Sequence, residues 1–382
     1  MEASRFGGFR TYFMEVKGAV TITDGPFDSF MKRARIIYNP SSGREMVKRD
    51  MLSILNVYEE AGYETSTFAT TPETLSAQKE AKRAALAGFD LIVAAGGDGT
   101  INEVVNGIAP LDKRPKMAII PAGTTNDYAR ALKVNRDDPL EAAKVILKDQ
   151  TIKMDIGKIS PKDEAGQVGE ARYYMNIAAL GTLSELTYAV PSAMKSLYGY
   201  LAYLVKGAEL LTRLKPVKAK VTFDDGEYDG DISMIFLALT NSVAGFESLV
   251  PDAKLDDGKF TLLIVKKANM WQIAQMVSQV LQGGNHINNP KLIYKKTSRV
   301  SIEPLDADPI KVNLDGEYGG DAPMVFDNLK QHIEFVANLE DMSNDAVTEK
   351  IQEQFVEQVE QLEKTGADDI DLPADPEDTA KK

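Results

Sequence analysis

Leu91–Val105, LIVAAGGDGTINEVV, leaves this chain few architectures to choose from. Its first part is an apolar run with the length and composition of a buried parallel strand. The run breaks at Gly96-Gly97-Asp98-Gly99 and resumes with Ile101, Val104 and Val105 spaced along one helix face. Strand, glycine turn, helix start is the order in which α/β proteins hold phosphates. Glycines let the backbone approach an anion, and the first helical turn aims unsatisfied N–H groups and a positive dipole end at it. Asp98 is the unexpected member, because a carboxylate repels phosphates unless a divalent cation lies between them. The stretch therefore predicts a nucleotide held with Mg2+. The alternative is a tight βα turn in which Asp98 only caps the helix.

The flanking sequence repeats the pattern. A strand over Arg35–Tyr38 ends at Asn39-Pro40-Ser41-Ser42-Gly43 and feeds a helix over roughly Arg44–Ala61. A second strand, Tyr63–Ala69, runs into Thr70-Thr71-Pro72, where Thr71 can cap and Pro72 begin the next helix. A fourth strand, Lys116–Ile120, ends at Pro121-Ala122-Gly123-Thr124-Thr125-Asn126-Asp127, ahead of a helix near Tyr128. The alternation predicts an α/β fold with a parallel sheet and crossover helices. The polar turns all follow the carboxyl ends of strands, so NPSSG, Thr70, GGDGT and GTTND are expected to line one crevice.

After Asp155 the pattern changes. Strand-like runs at Tyr173–Ala179, Val217–Phe223, Ile232–Thr240, Phe260–Val265, Lys291–Tyr294, Arg299–Ile302 and Ile310–Leu314 predict a second, mainly antiparallel β domain. Asp225-Gly226 and Asp257-Gly258 mark tight turns, and helices are confined to about Pro191–Leu214 and Asn269–Gln282. The expected divisions are an extension outside the fold over 1–30, a nucleotide-binding domain over 31–158 and a β-rich domain over 159–325. A strand within 326–340 returns to the first domain, and an acidic tail covers 341–382. Residues 1–30 show neither helical nor strand periodicity, and Met31 reads like a second start. In the tail, Val347, Ile351, Phe355, Val359 and Leu362 recur at helical spacing, which fits a docking helix or a transient one.

Charge and composition remove several functions. The net charge of −13 is concentrated in the tail, where 13 acidic and 4 basic residues give −9 and leave −4 for the rest. No basic field marks a nucleic-acid binder, and such a tail is expected to be solvated. With no cysteine and only His286 and His332, thiolate chemistry is absent and a zinc site is not expected. No apolar run spans a bilayer, and the N-terminus lacks the apolar core of a signal peptide. The expectation is a cytoplasmic protein that meets a membrane from the side.

Neither G-x-x-x-x-G-K-[ST] nor G-x-G-x-x-G occurs, so the nucleotide site is of another kind. In GTTND, Thr124 and Thr125 offer hydroxyls, Asn126 can fix the turn and Asp127 adds a carboxylate. Asp155 closes the strand IKMD and supplies a third acid. Three acids at strand ends suit water-mediated Mg2+, though each can instead cap a helix or end a strand. Asp315, in Leu314-Asp315-Gly316-Glu317, is the choice for the carboxylate that accepts a proton from an attacking alcohol, with Glu317 in support. A D-G hairpin turn is the alternative. Lys254-Leu255-Asp256-Asp257-Gly258-Lys259 is turn-like and could hold a structural Mg2+.

Taken in order, NPSSG, AAGGDGTINEVVNG, PAGTTNDYARAL, MDIGK, TNSVAGFESLVPDAKLDDGKF and VNLDGEYGG resemble the soluble bacterial diacylglycerol kinases and their eukaryotic lipid-kinase relatives. The match runs from about Met31 to Asn338. It implies phosphorylation of the free hydroxyl of diacylglycerol by ATP, giving phosphatidate for phospholipid recycling. By resemblance Asn39, Pro40, Ser41, Ser42, Gly43, Thr70, Gly96, Gly97, Asp98, Gly99, Thr100, Ile101, Asn102 and Thr124 would bind ATP. Asp98, Asp127 and Asp155 would form an acid–water–Mg2+ network, and Asp315 would be the base. Asp257 with the carbonyls of Lys254 and Lys259 would hold a structural Mg2+. A homodimer and peripheral contact with the inner face of the plasma membrane are also implied. Lipid access needs an apolar cleft, which Leu183–Leu214 could line, with Arg44 and Lys195 facing anionic headgroups. The rivals are an NAD kinase, which shares GGDGT, another lipid-alcohol kinase, and a nucleotide-binding regulator without turnover.

Overall fold

A computed structural model of the protein describes residues 31–42, 45–123, 126–162, 169–181, 216–240, 250, 253–281 and 285–339, with the backbone alone of 3–6, 9–16 and 19–22. Gly43, Arg44, Thr124, Thr125, Lys195, the stretch 183–214 and the acidic tail lie outside the described residues. The chain divides into two compact units, Met1–Ile156 with Gln331–Met342, and Gly157–Lys330.

The extension is not strandless. β1 (Ala3–Phe6), β2 (Phe9–Val16) and β3 (Ala19–Ile22) form an antiparallel sheet of their own. Phe6 pairs with Phe9 and Val16 with Ala19, and the sequence has Gly7-Gly8 and Lys17-Gly18 between the paired ends. Glycine dipeptides between short strands are a hairpin signal in the sequence.

In the first unit β4 (Lys32–Tyr38) lies between β5 (Tyr63–Ala69) and β6 (Leu91–Gly96), and β6 pairs with β7 (Lys116–Pro121), all parallel. Between them run α1 (Met46–Glu60), α2 (Ser76–Leu86) and α3 (Asp98–Ile108). Every residue of β6 is buried, as its unbroken apolar sequence requires of a central strand. α3 buries Ile101, Val104, Val105 and Ile108, each contributing about 1.5–3 kcal/mol. Its Gly107 lies so close to α2 that a Cβ would stand 2.5 Å from the Gln78 carbonyl oxygen. A carboxylate oxygen of Glu103 accepts the Ala77 N–H at 3.0 Å, so α3 satisfies the start of α2.

The start of α2 departs from expectation. Thr71 and Pro72 do not open the helix, which begins at Ser76 after Leu75 in the left-handed region. The Thr71 N–H instead donates to Ser76 Oγ at 3.1 Å, closing a polar turn over the segment that Pro72 was expected to lead. In α2, Glu80 is 6 % exposed and accepts Arg35 Nε at 2.7 Å and Arg83 Nη2 at 2.7 Å. Burial pushes its carboxyl up, but the bonds from Arg83 and Arg35 outweigh this and hold it below the ordinary range. A depressed folded value adds stability above the unfolded value of about 4.3, and that stability is lost as pH falls through the folded value. Glu80→Gln is therefore expected to lower the melting temperature at neutral pH and to flatten its decline in acid. Equal acid sensitivity in both proteins would remove Glu80 from that decline.

After β7 come α4 (Asp127–Ala131) and α5 (Pro139–Lys144), the latter capped by Asp138, whose carboxylate accepts from Leu140 and Glu141. β8 (Thr151–Pro161) continues from the first unit into the second. The second unit is antiparallel, as expected. Its strands are β9 (Arg172–Tyr174), β10 (Ile177–Gly181), β11 (Val217–Phe223), β12 (Gly226–Ala238) and β13 (Phe260–Lys266). Then follow α6 (Met270–Leu281), β14 (Leu292–Thr297), β15 (Arg299–Pro304), β16 (Lys311–Leu314) and β17 (Glu317–Asp321). β18 (Met324–Val336) pairs with β15 and then, in the first unit, sets Phe335 parallel to Met117 of β7. The long β12 carries the sheet: its first half pairs with β11 and its second with β10 and β13. Phe223 pairs with Gly226, so the expected Asp225-Gly226 turn is Asp224-Asp225, with Gly226 in the strand. The expected strand Tyr173–Ala179 is broken at Met175-Asn176, and that break is part of the site described next.

Candidate active site

Register places the carboxyl ends of the parallel strands side by side. Tyr38 pairs with Ala69 and Ala95, and Gly96 with Pro121. Backbone bonds carry the alignment into the loops: Asn39 N–H to Ala95 O at 2.9 Å, Thr70 N–H to Tyr38 O at 2.9 Å and Ala122 N–H to Gly96 O at 2.8 Å. Asn39, Thr70, Gly97 and Ala122 thus start four adjacent loops on one edge, where open α/β sheets bind ligands. Within the first loop Asn39 Oδ1 accepts the Ser41 N–H and hydroxyl at 3.0 and 2.8 Å, which shapes the Asn39-Pro40-Ser41-Ser42 turn.

The two glycine loops interlock. Gly97 and Gly123 face each other so closely that a Cβ on Gly123 would stand 2.8 Å from Gly97 Cα, and one on Gly96 2.7 Å from Thr100 Oγ1. Asn126, buried and in the left-handed region at φ 51°, joins the loops. Its Oδ1 accepts the Gly123 N–H at 2.8 Å, its Nδ2 donates to Gly123 O at 2.9 Å, and its own N–H donates to Asp98 Oδ2 at 3.1 Å. Asp98 opens α3, so one carboxylate sits at a helix N-terminus and ties down the second loop. From the sequence Asn126 has only a turn to fix; its bond to Asp98 is a long-range contact that no local pattern carries.

The other expected residues divide. Asp127 follows Asn126 as the first residue of α4. Gly99, Thr100 and Asn102 lie in the first turns of α3. Ile101 is a core residue: its side chain is fully buried and its N–H donates to Gly97 O at 3.2 Å. Asp155 lies on β8, 1 % exposed, and its Oδ1 accepts the Gln331 N–H at 2.8 Å.

In the second unit, Asp315-Gly316 is a two-residue hairpin turn between β16 and β17, with φ 51° and 97° and Leu314 paired to Glu317. It is also more than a turn. Asp315 Oδ2 accepts the Met175 N–H at 2.9 Å, and Oδ1 accepts those of Asn176 and Ile177 at 3.0 and 2.9 Å. Those N–H groups come from the break between β9 and β10, which explains why the expected single strand is two. Asn313 Oδ1 accepts the Gly316 N–H at 2.9 Å, and Asn176 bonds the Thr240 hydroxyl through its side chain. Glu317 is exposed at the start of β17.

Tyr174, just before the break, is fully buried and stacks on Phe260 at 6.1 Å. Burial, with the nearby Asp315 charge, pushes its phenol well above the ordinary value. Gly157 of MDIGK lies under this ring, where a Cβ would be 2.2 Å from it. Gly157→Ala is expected to cost about 1–3 kcal/mol or more by overpacking, seen as a lower melting temperature. A wild-type melting curve would show that the ring can move aside. At the third expected site, Asp257 Oδ1 accepts the Lys259 N–H at 2.9 Å beside Gly258 at φ 83°, a tight turn.

The fold joins a parallel α/β unit, with glycine loops at its carboxyl edge, to an antiparallel β unit. Residues 33–159 match the diacylglycerol kinase catalytic domain, and residues 178–337 match the YegS C-terminal NAD kinase beta sandwich-like domain. A diacylglycerol kinase of Bacillus subtilis (strain 168) is 49 % identical over 306 residues, 80 % of this chain and 96 % of the relative. One of Staphylococcus haemolyticus (strain JCSC1435) is 47 % identical over 318 residues, 83 % of this chain and 92 % of the relative. The crystal structure of a diacylglycerol kinase from Bacillus anthracis shares the fold, with TM-score 0.61 and 23 % identity over 81 % of this chain and 98 % of that one. The chain belongs to the bacterial diacylglycerol kinase family.

Proposed function

We propose that the protein transfers the γ-phosphoryl group of ATP to the free hydroxyl of diacylglycerol, giving phosphatidate. The observation that carries this is the interlock of GGDGT and GTTND through Asp98 and Asn126 at the carboxyl edge of the parallel sheet. The tight glycine contact brings backbone close to a polyphosphate, and the start of α3 adds a positive dipole end. Asn39–Ser42 and Thr70 extend the same edge for the rest of the nucleotide, and Thr124 completes the set.

In this reading Asp98, Asp127 and Asp155 hold Mg2+. Among the described residues no three His, Cys, Asp or Glu side chains gather closely enough to ligate one ion, so the proposed network runs through water. Bound there, the ion would neutralise charge building on the transferring phosphoryl oxygens. Asp315 takes the proton of the attacking hydroxyl, with Glu317 in support, while the Met175–Ile177 amides fix its orientation. Asp257, with the carbonyls of Lys254 and Lys259, offers the oxygen donors a structural Mg2+ would use. Among the described residues no helix is long and apolar enough to cross a membrane. Contact with a bilayer surface, where the substrate lies, and a homodimer are both proposed from the family alone.

Labelled ATP with Mg2+ and mixed micelles of diacylglycerol, ceramide or monoacylglycerol, with NAD in parallel, tests the acceptor. Labelled phosphatidate is expected. Label in NAD alone would overturn the lipid reading, and label in another lipid would change the substrate.

A further inference from the structure

A polar cavity of about 400 Å3 opens beside α6 in the second unit. Gln272, Gln275 and Gln279 line it from one face of α6, and Asn289 and Lys291 line it from the approach to β14. Among the described residues none that lines it is acidic. The local hydrogen bonds decide what these amides can still offer. Gln272 and Asn269 form a reciprocal cap on α6: Gln272 Oε1 accepts the Asn269 N–H at 3.0 Å, and Asn269 Oδ1 accepts the Gln272 N–H at 3.0 Å. A backbone N–H can only donate, so the atom it meets is Oε1 and the other arm of the Gln272 amide is the Nε2 donor.

The same logic runs through Asn289. Its Oδ1 accepts the Lys291 N–H at 2.9 Å, which fixes the amide. Its Nδ2 then donates to Gln279 Oε1 at 3.2 Å, and Gln279 is left with its own Nε2 donors. Lys291 Nζ spends one donor on Lys267 O at 3.2 Å, and Lys266 Nζ donates to Pro290 O on the cavity wall at 3.3 Å. Lys267, whose carbonyl takes the Lys291 bond, pairs with Asp231 at 3.2 Å. Among the described residues Lys291 is the one charged side chain that lines the cavity, and amide groups surround it.

We propose that this cavity binds a phosphate-bearing polar group, such as the headgroup of an anionic phospholipid or a soluble glycerol phosphate. The amide donors and Lys291 take the phosphate oxygens, and Gln275, exposed at the mouth, meets the hydroxyls. The proposal does not depend on the kinase reading, since no residue that lines the cavity is given a role in it.

The test uses the full chain and three variants, Lys291→Gln, Gln275→Glu and Gln275→Lys. All three alter side chains that are at least partly exposed, and turnover on a dispersed short-chain diacylglycerol is expected to be unchanged. One arm measures co-sedimentation with vesicles of phosphatidylcholine, with and without phosphatidylglycerol. The other titrates glycerol 3-phosphate by calorimetry. Lys291→Gln is expected to weaken binding about fivefold, the effect of one lysine at an anionic surface. Gln275→Glu should weaken it at least as much, and Gln275→Lys should strengthen it by a similar factor. This pattern on vesicles identifies a lipid source, and the same pattern on glycerol 3-phosphate alone identifies a soluble one. Binding that no variant changes in either arm, or no binding in both, overturns the site.

Discussion

Asp98→Asn is expected to leave a folded protein that no longer turns over. The Asn side chain keeps a carbonyl oxygen, so the 3.1 Å bond from the Asn126 N–H survives and the two glycine loops stay joined. The negative charge is lost, and with it the reason for a divalent cation between the loops and a polyphosphate. Charge stabilisation by a bound metal is worth several kcal/mol, which corresponds to a fall in turnover of roughly 10²–10⁴-fold. Against that, the helix-start charge contributes only about 0.3–1 kcal/mol to stability, a small shift in melting temperature. Steady-state transfer and thermal melting, measured on one preparation, separate the two. Wild-type turnover would remove Asp98 from the metal network and leave it as a helix-start residue.

Asp315→Asn is expected to lose both turnover and local stability. A positioned base contributes about 10²–10⁴-fold, so transfer should fall by that order. The carboxylate also accepts three backbone N–H groups through two oxygens. An amide supplies one oxygen, and its NH2 would then face the N–H that Oδ2 now accepts. Leaving such a donor unsatisfied costs about 1–3 kcal/mol. The melting temperature should therefore drop here but hardly in Asp98→Asn, and amide exchange at Met175 should accelerate. ATP affinity is expected to be unchanged, because the nucleotide loops lie in the other unit. Retained turnover with the same melting drop would make Asp315 a turn anchor and leave the proton to another acceptor.

The parallel unit was legible because its signals are local. An unbroken apolar run makes β6, a glycine pair ends it, and Ile101, Val104 and Val105 set the face of α3. Ile101 belongs to both signals: motif membership sets it among the nucleotide residues, and its burial belongs to the periodicity that makes the helix recognisable. Thr71-Pro72 misled for a related reason, since a cap-and-proline pair also suits a polar turn, and the Ser76 hydroxyl decides between them. What the sequence could not show were bonds from far along the chain. Asp315 is 138 to 140 residues from its N–H partners, and Asn126 is 28 from Asp98. The N-terminal sheet did have a readable signal in Gly7-Gly8 and Lys17-Gly18. Strands of 4 to 8 residues give too few alternations to stand out without those turns.

The central claim is that the two interlocked glycine loops are where ATP binds. Hydrogen exchange followed by mass spectrometry, on the full chain with and without Mg2+ and a non-hydrolysable ATP analogue, tests it most directly. The account predicts slower exchange at Asn39–Ser42, Thr70, Gly96–Asn102 and Gly123–Asp127. Saturating analogue that protects other segments and leaves both glycine loops unchanged would contradict it.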